Sequence, residues 1–334
     1  MDIIVFIINK AVITGLVIGS VYALGAVGVT LIAGILRFSH FAHGDVMTMG
    51  AFFSFVLAAF FAGLGLHWPI ASGIVVLPVS MAATALVLYG FDIAFYAPLR
   101  RRGARPITLL IASIGVTMML QGVLRLFAGT QSYSFFQNEP KLLYRIDLGW
   151  LGATRPLTLT QPQAFMIGLT LVCCIALALF LTRSRLGKAM RAMSDNPSLA
   201  QVSGINTQLV VRMTWLISGA LACLAGTMLA LDVQLKPDLA FNIILPIFAA
   251  AVVGGLGQPY GAIAGGFLVG FAETLSVFDW SVVTKPFNAY LPDFIVNAPN
   301  LALVPTEYKL VVSFVILVAV LLSRPTGIFK GVST

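Results

Sequence analysis

The chain has 334 residues, of which 59% are hydrophobic and only 10% are charged. Its mean hydropathy of +0.98 and its low charge exclude an ordinary soluble domain, in which about 25% of residues are charged. The formal net charge of +8 does not indicate a nucleic-acid partner, because the basic residues are concentrated in a few loops, as in a membrane protein whose cytoplasmic loops are basic.

Apolar segments alternate with short polar loops along the whole chain. Since about 20 apolar residues span the hydrocarbon core of a bilayer, the sequence predicts an all-α, polytopic transmembrane helical bundle with eight or nine membrane segments. We expect a single domain over residues 1–334 that contacts membrane lipid. The predicted segments are 11–36, 46–66, 69–95, 107–128, 163–182, 210–232, 241–276 and 307–323.

Basic loops orient these segments. The cytoplasmic groups are predicted to be Arg100, Arg101, Arg102 and Arg105; Arg183, Arg185, Lys188 and Arg191; and Arg324 with Lys330. Counting crossings from these groups places loops 129–162 and 277–306 outside. The same count places the N-terminus outside, provided that the first two segments each cross once.

Phe38-Ser-His-Phe-Ala-His-Gly-Asp45 opens the second segment and gathers His40, His43 and Asp45 within six positions. Two interpretations remain equal on spacing alone: a broken-helix element that faces a solute path, or a turn at the membrane edge. A metal site is disfavoured, because neither cysteine nor a further histidine supports one.

Loop 183–207 contains the signals of a small folded element. Asn196 precedes Pro197, which predicts a capped helix start, and Gly204 stands where a left-handed C-terminal residue belongs. A helix over 197–203 would place Leu199 and Val202 on one face, with Asp195 at its positive end. So short a helix is unstable alone, so it needs either its own bundle or another protein as a partner. The alternative is a plain connector on the membrane.

Glycine marks two further features. Pairs four residues apart (Gly15 with Gly19, Gly261 with Gly265, Gly266 with Gly270) predict closely packed helices. Segment 241–276 is too long for one crossing, and Gly254–Gly261 interrupts it. We expect two crossings or two half-helices meeting inside the protein, since irregular backbone at that depth requires protein or a cavity around it.

The chain shows no energy source of its own. Gly187-Lys188 lacks the remainder of a phosphate-binding P-loop, and no catalytic constellation is visible, so we expect that the chain is not an enzyme and binds no cofactor or metal. The intramembrane ionisable residues do not form an evident proton relay, which weakens the prediction of a proton-driven carrier. Glu273 is expected either to face a solute path or to pair with another buried polar group.

Four motifs in order resemble the permease subunit of high-affinity branched-chain amino-acid ABC importers. They are Gly15-Leu-Val-Ile-Gly-Ser-Val-Tyr-Ala-Leu24; His40-Phe-Ala-His-Gly-Asp45; Gly187-Lys-Ala-Met-Arg-Ala with Ala200-Gln-Val-Ser-Gly-Ile-Asn206; and Ala251-Val-Val-Gly-Gly-Leu-Gly-Gln-Pro-Tyr-Gly-Ala262. The resemblance covers nearly the whole chain. It departs at His40, where the family usually has Asn, and at Asp45, where Glu is usual.

The resemblance implies a subunit of the bacterial inner membrane. Its implied partners are a homologous second permease, two cytoplasmic ATPase subunits that carry ATP and Mg, and a periplasmic solute-binding protein received by the outer loops. Substrate would pass His40, His43, Asp45, Gly255, Gln258 and Glu273. The ATPase would dock on Arg191, Asp195, Asn196, Pro197, Leu199, Val202 and Gly204. The two departures leave urea or small organic acids as alternative solutes, and an ATP-independent channel or secondary carrier as an alternative class.

Overall fold

The computed structural model describes residues 2–66, 72–136, 141–147, 149, 155–284, 301–324 and 326–329. Within these residues, eight helices are long and apolar enough to cross a membrane, which confirms the predicted helical bundle. They are α1 (Asp2–Leu36), α2 (His43–Gly63), α4 (Leu77–Arg101), α5 (Pro106–Ala128), α6 (Gln161–Arg183), α9 (Thr207–Asp232), α11 (Pro259–Val277) and α13 (Thr306–Ser323).

Shorter elements connect these helices. They are α3 (Ser72–Val75), α7 (Arg185–Asp195), α8 (Pro197–Val202), α10 (Ile244–Gly254) and α12 (Ser281–Thr284). Two strands, β1 (Leu143–Ile146) and β2 (Leu157–Thr160), form an antiparallel hairpin in which Leu143 pairs with Thr160. The sequence patterns did not predict this hairpin, which is the main departure from an all-α chain.

The third predicted segment is displaced. Instead of 69–95, the helix is α4, which continues to Arg101 through a π-helical turn at Asp92–Tyr96. Two features allow the helix to continue beyond Asp92. The π-helical turn lies just before Pro98, which cannot donate a backbone hydrogen bond, and accommodates it. Asp92 also forms an ion pair with Arg100 at 2.7 Å.

The centre of the bundle is the contact between α1 and α11. A Cβ atom added to Gly266 would lie 2.4 Å from the Cα of Ala23, and one added to Gly270 would lie 2.6 Å from the Cα of Gly19. The two backbones therefore touch at positions where only glycine fits. The packing role predicted from the four-residue glycine spacing is confirmed here.

The predicted break in segment 241–276 is also confirmed. α10 ends at Gly254 and α11 begins at Pro259, and between them Gly255 and Gly257 adopt φ angles of +104° and +83°. The carbonyl of Val253 accepts a hydrogen bond from the backbone N–H of Ile328. Within the break Gly255 is buried and Leu256, Gly257 and Gln258 are half-buried, so protein covers most of the irregular backbone.

Contacts between distant segments identify the two ends of the bundle. Asn9 of α1 bonds the backbone of Pro156 and Thr158, and Tyr133 pairs with Leu235. The N-terminal segment therefore lies at the same end as the loop predicted to be outside. Residues 137–140, 148, 150–154 and 285–300 of the predicted outer loops, and Lys330 of the basic C-terminal group, lie outside the described residues.

Candidate functional site

The loop between α6 and α9 folds as its sequence signals predict. The hydroxyl of Ser184 accepts from the N–H of Gly187 at 2.8 Å, and Oδ1 of Asn196 accepts from the N–H of Leu199 at 3.0 Å. Gly204 has a φ of +81°. The helix predicted over 197–203 is α8, Pro197–Val202, with Ser203 as its C-cap. Each helix start is satisfied by a local side chain, which explains why these short helices form.

The two short helices present opposite surfaces. On α7, Met190 and Met193 are buried and attach the helix to the bundle. On α8, Leu199 is 63% exposed and Val202 is 87% exposed, whereas Ala200 is buried. The apolar face of α8 is therefore uncovered in this chain. Of the remaining predicted docking residues, Pro197 is half-buried and the others are exposed: Arg191, Asp195, Asn196 and Gly204.

α7 contacts both irregular segments of the bundle. The guanidinium of Arg37, just after α1, donates a hydrogen bond to the backbone carbonyl of Ser194. A Cβ atom added to Gly34 would lie 2.8 Å from Gly257 and 3.0 Å from the hydroxyl of Ser194. α7, the end of α1 and the break between α10 and α11 thus meet at one point.

The His40 motif begins where α1 stops. Arg37 adopts a left-handed conformation, with φ of 59°, and residues 37–42 turn the chain back into the bundle. His40 is fully buried, and its Nε2 lies 3.0 Å from the hydroxyl of Tyr96. Its ring packs edge-on against Trp215, which stacks on Tyr96. Burial lowers the pKa of His40 well below its ordinary value, and the neighbouring His43 lowers it further, so the imidazole is neutral at pH 7.

His43 and Asp45 lie in the first turn of α2 and are also buried. The ring of His43 fills the space left by Gly28, because a Cβ atom there would lie 2.5 Å from Cε1 of the imidazole. Neither ring nitrogen of His43 has a hydrogen-bond partner, nor does Oδ1 of Asp45. Unpartnered polar groups at such burial are costly, which makes this turn a candidate contact for a polar solute or for water.

The three motif side chains do not converge on one point. The rings of His40 and His43 are 6.3 Å apart, but Asp45 faces α5, where Thr117, Gln121 and Arg125 lie near its carboxylate. Among the described residues, no group of three His, Cys, Asp or Glu side chains is placed to hold a metal ion.

The remaining predicted path residues occupy other environments. Gly255 is buried in the break, and Gln258 is half-buried at the N-cap of α11. Glu273 is buried and accepts hydrogen bonds from the hydroxyls of Tyr22, at 2.7 Å, and Ser313. Glu273 is therefore paired with buried polar groups, and its place on a solute path stays a prediction. It borders a cavity of about 340 Å³, together with Phe6, Lys10, Thr14, Ile18, Thr274, Val277, Phe278, Asp279, Thr306 and Lys309.

A row of polar residues on α5 was not among the predicted site residues. Ser113, Thr117, Gln121 and Arg125 follow one another at four-residue spacing in an otherwise apolar helix. Ser113 accepts a hydrogen bond from the N–H of Phe41, inside the motif loop, at 3.1 Å. The spacing is a sequence signal that could have identified the row, because residues four apart share one side of a helix.

The chain is similar to known transport proteins over almost its entire length. Residues 11–321 match the family model described as the permease component of branched-chain amino acid transport systems. The permease LivH of Escherichia coli is 32% identical over 317 residues, which are 94% of this chain and 92% of the relative. The permease BraD of Pseudomonas aeruginosa is 30% identical over 320 residues, which are 96% of this chain and 94% of the relative.

A probable LivH of Methanocaldococcus jannaschii is 30% identical over 322 residues, or 96% of this chain and 92% of the relative. Among solved structures, PsaBC of Streptococcus pneumoniae in complex with a Fab covers 93% of this chain and 90% of its own, with 15% identity and a TM-score of 0.42, too low to support an inference. The family match and the apolar helices identify a multi-pass transport protein. The chain belongs to the family of permease components of branched-chain amino-acid transport systems.

Proposed function

We propose that this chain is the membrane-spanning permease of an ATP-driven importer of branched-chain or related amino acids in the bacterial inner membrane, and that residues 1–334 form one permease domain. Its partners are a homologous second permease, two cytoplasmic ATPase subunits that hold ATP and Mg, and a periplasmic solute-binding protein. The similarity to the branched-chain amino acid permeases LivH and BraD supports the solute class. His40 and Asp45, which replace the usual Asn and Glu, keep urea or a small organic acid as the second candidate solute.

The observation that carries the coupling role is the uncovered apolar face of α8. Leu199 and Val202 are exposed on a capped helix that is too short to be stable without packing. The face lies at the basic, cytoplasmic end, where an ATPase subunit would cover it. α7, which adjoins α8, contacts Arg37 through Ser194 and lies close to Gly34 and Gly257. Closure of the ATPases would therefore move the His40 motif loop and the α10–α11 break together.

The test replaces the apolar face by charge. In proteoliposomes containing the whole complex, Leu199→Asp and Val202→Asp should each lower solute uptake per ATP hydrolysed at least about tenfold, because burying one such side chain is worth about 1.5–3 kcal/mol. Gln201→Asp is the matched control, since it places the same charge on an exposed position of the same helix. Normal uptake in both Leu199→Asp and Val202→Asp would refute the coupling role.

The solute path is tested at His43, whose buried ring nitrogens lack partners. We expect His43→Ala to change the dependence of uptake on the identity of the solute more than it changes the yield of folded protein. A loss of folding yield without a change in solute dependence would identify His43 as a packing residue. Uptake that continues without ATP while ion gradients persist would favour the channel or secondary carrier.

A further inference from the structure

The row of polar residues on α5, called here the α5 polar stripe (Ser113, Thr117, Gln121 and Arg125), descends from the outer end of the helix toward its middle. The neighbouring exposed positions are apolar, among them Ile114, Met118 and Phe127. Lipid cannot satisfy polar side chains, and intramembrane charges therefore face protein or a water-filled cavity. The stripe thus marks the side of α5 that faces away from lipid.

The deep part of the stripe has unused hydrogen-bonding capacity. Thr117 is buried, and neither its hydroxyl nor Oδ1 of Asp45 on the facing helix α2 makes a hydrogen bond of ordinary length and angle. Thr117 and Gln121 are nevertheless the side chains within hydrogen-bonding reach of the Asp45 carboxylate, and Arg125 is within electrostatic reach of it. Buried polar groups are normally satisfied, so this region is fitted to a polar occupant.

The upper part of the stripe provides a cation. Nη1 of Arg125 donates to Oε1 of Gln121 at 3.3 Å, so that the guanidinium turns inward along the helix. An arginine near the end of a membrane helix ordinarily extends outward to water. Arg125 is exposed and Gln121 half-buried in this chain, so both are accessible from the side of the helix that the stripe marks.

We propose that Asp45 and the α5 polar stripe form a transit site for a zwitterionic α-amino acid. Arg125 receives the α-carboxylate, because a guanidinium binds a carboxylate in a bidentate manner, and Asp45 receives the α-ammonium group. Beside Ser113, the rings of Phe41 and Phe248, whose centroids are 4.7 Å apart, offer apolar surface to the side chain of the solute. The inference rests on the proposed function and adds the substrate groups that each residue recognises.

The experiment measures uptake of leucine at saturating concentration by the complete complex in proteoliposomes. Arg125→Gln and Asp45→Asn should each lower the uptake rate about tenfold or more, as expected when a charge-assisted hydrogen bond is lost. Arg105→Gln, which removes an exposed cation from the other end of the same helix, is the control and should leave uptake unchanged. Wild-type rates in both stripe variants would overturn the proposal.

A second measurement separates a transit site from a structural ion pair between α2 and α5. A double variant, Asp45→Arg with Arg125→Asp, exchanges the two charges. It would keep an ion pair between α2 and α5, but the cation would then stand where the α-ammonium group binds and the anion where the α-carboxylate binds. Continued loss of uptake supports the transit site, whereas recovery of uptake would overturn it. Should the variants of buried Asp45 fail to fold, Arg125→Gln and Gln121→Leu are decisive, since neither residue is buried.

The uptake measurements also test the transit site separately from the proposed importer function. A wild-type complex that takes up neither leucine nor any other α-amino acid would refute the amino-acid importer and the transit site together. Leucine uptake that is normal in the wild type and in the Arg125→Gln and Asp45→Asn variants would overturn the transit site alone.

Discussion

At the scale of single residues, glycines set the distance between the central helices. The contact of α2 with α9 is one of the two tightest examples, because a Cβ atom on Gly226 would lie 2.0 Å from the carbonyl oxygen of Met47. No side-chain rotation relieves a clash with backbone, so the helices would have to separate. A Cβ atom added to Gly168 on α6 would have no neighbour within 4 Å. A larger residue would therefore clash at position 226 and fit at position 168.

Gly226→Ala should therefore destabilise the protein by about 1–3 kcal/mol, the usual cost of overpacking a dense core. The measurement is the thermal unfolding midpoint of the detergent-purified chain. Gly168→Ala is the control, because it makes the same chemical change where there is space. Equal unfolding midpoints for the two variants would contradict the close contact of α2 and α9.

At the scale of elements, the two short helices α7 and α8 present different surfaces. α7 is attached to the bundle by its buried methionines, whereas α8 keeps its apolar face free. The bond from Arg37 to the carbonyl of Ser194 joins α7 to the segment that leads into the His40 motif. We infer that this bond transmits the motion of the docked helix to the start of α2.

Arg37→Ala should lower the ratio of solute uptake to ATP hydrolysis several-fold, because the link between α7 and the motif loop is lost while the docking face of α8 remains. Uptake and phosphate release measured on the same proteoliposomes give this ratio. Arg212→Ala removes an exposed cation from α9 as the control. An unchanged ratio in Arg37→Ala would show that coupling proceeds through other contacts, such as the one between Gly34 and Gly257.

At the scale of the whole molecule, the positions of distant segments define two faces of the membrane protein. The N-terminal segment, the β1–β2 hairpin and Leu235 lie at one end, and α7 and α8 lie at the other. Because basic residues are concentrated near α7 and near the junction of α4 and α5, we propose that the second end faces the cytoplasm.

Cysteine labelling tests this orientation. In a chain whose Cys173, Cys174 and Cys223 are replaced by alanine, Thr130→Cys should react with a membrane-impermeant maleimide added to intact spheroplasts. Ser198→Cys should react only after the membrane is opened. Both positions are exposed in the structure, so that access of the reagent decides the outcome. The reverse pattern would invert the topology.

The sequence by itself determined the membrane spans, the boundaries of α8 and the break at Gly255, because each depends on residues close together in the chain. The spans follow from runs of apolar residues long enough to cross a bilayer. The α8 boundaries follow from Asn196, Pro197 and Gly204, because a cap or a left-handed residue acts within one turn of its own position. The break at Gly255 was predictable for the same reason: it depends on backbone preferences of adjacent residues.

Only the tertiary structure decided which polar groups meet. His40 bonds Tyr96, 56 positions away, and Glu273 bonds Tyr22 across 251 positions, pairings that no spacing in the sequence indicates. Asp45 likewise separates from the neighbouring histidines and faces α5. Such contacts depend on how whole helices pack, because an apolar helix can satisfy the spanning requirement in any rotation and its neighbours alone determine where its few polar side chains point.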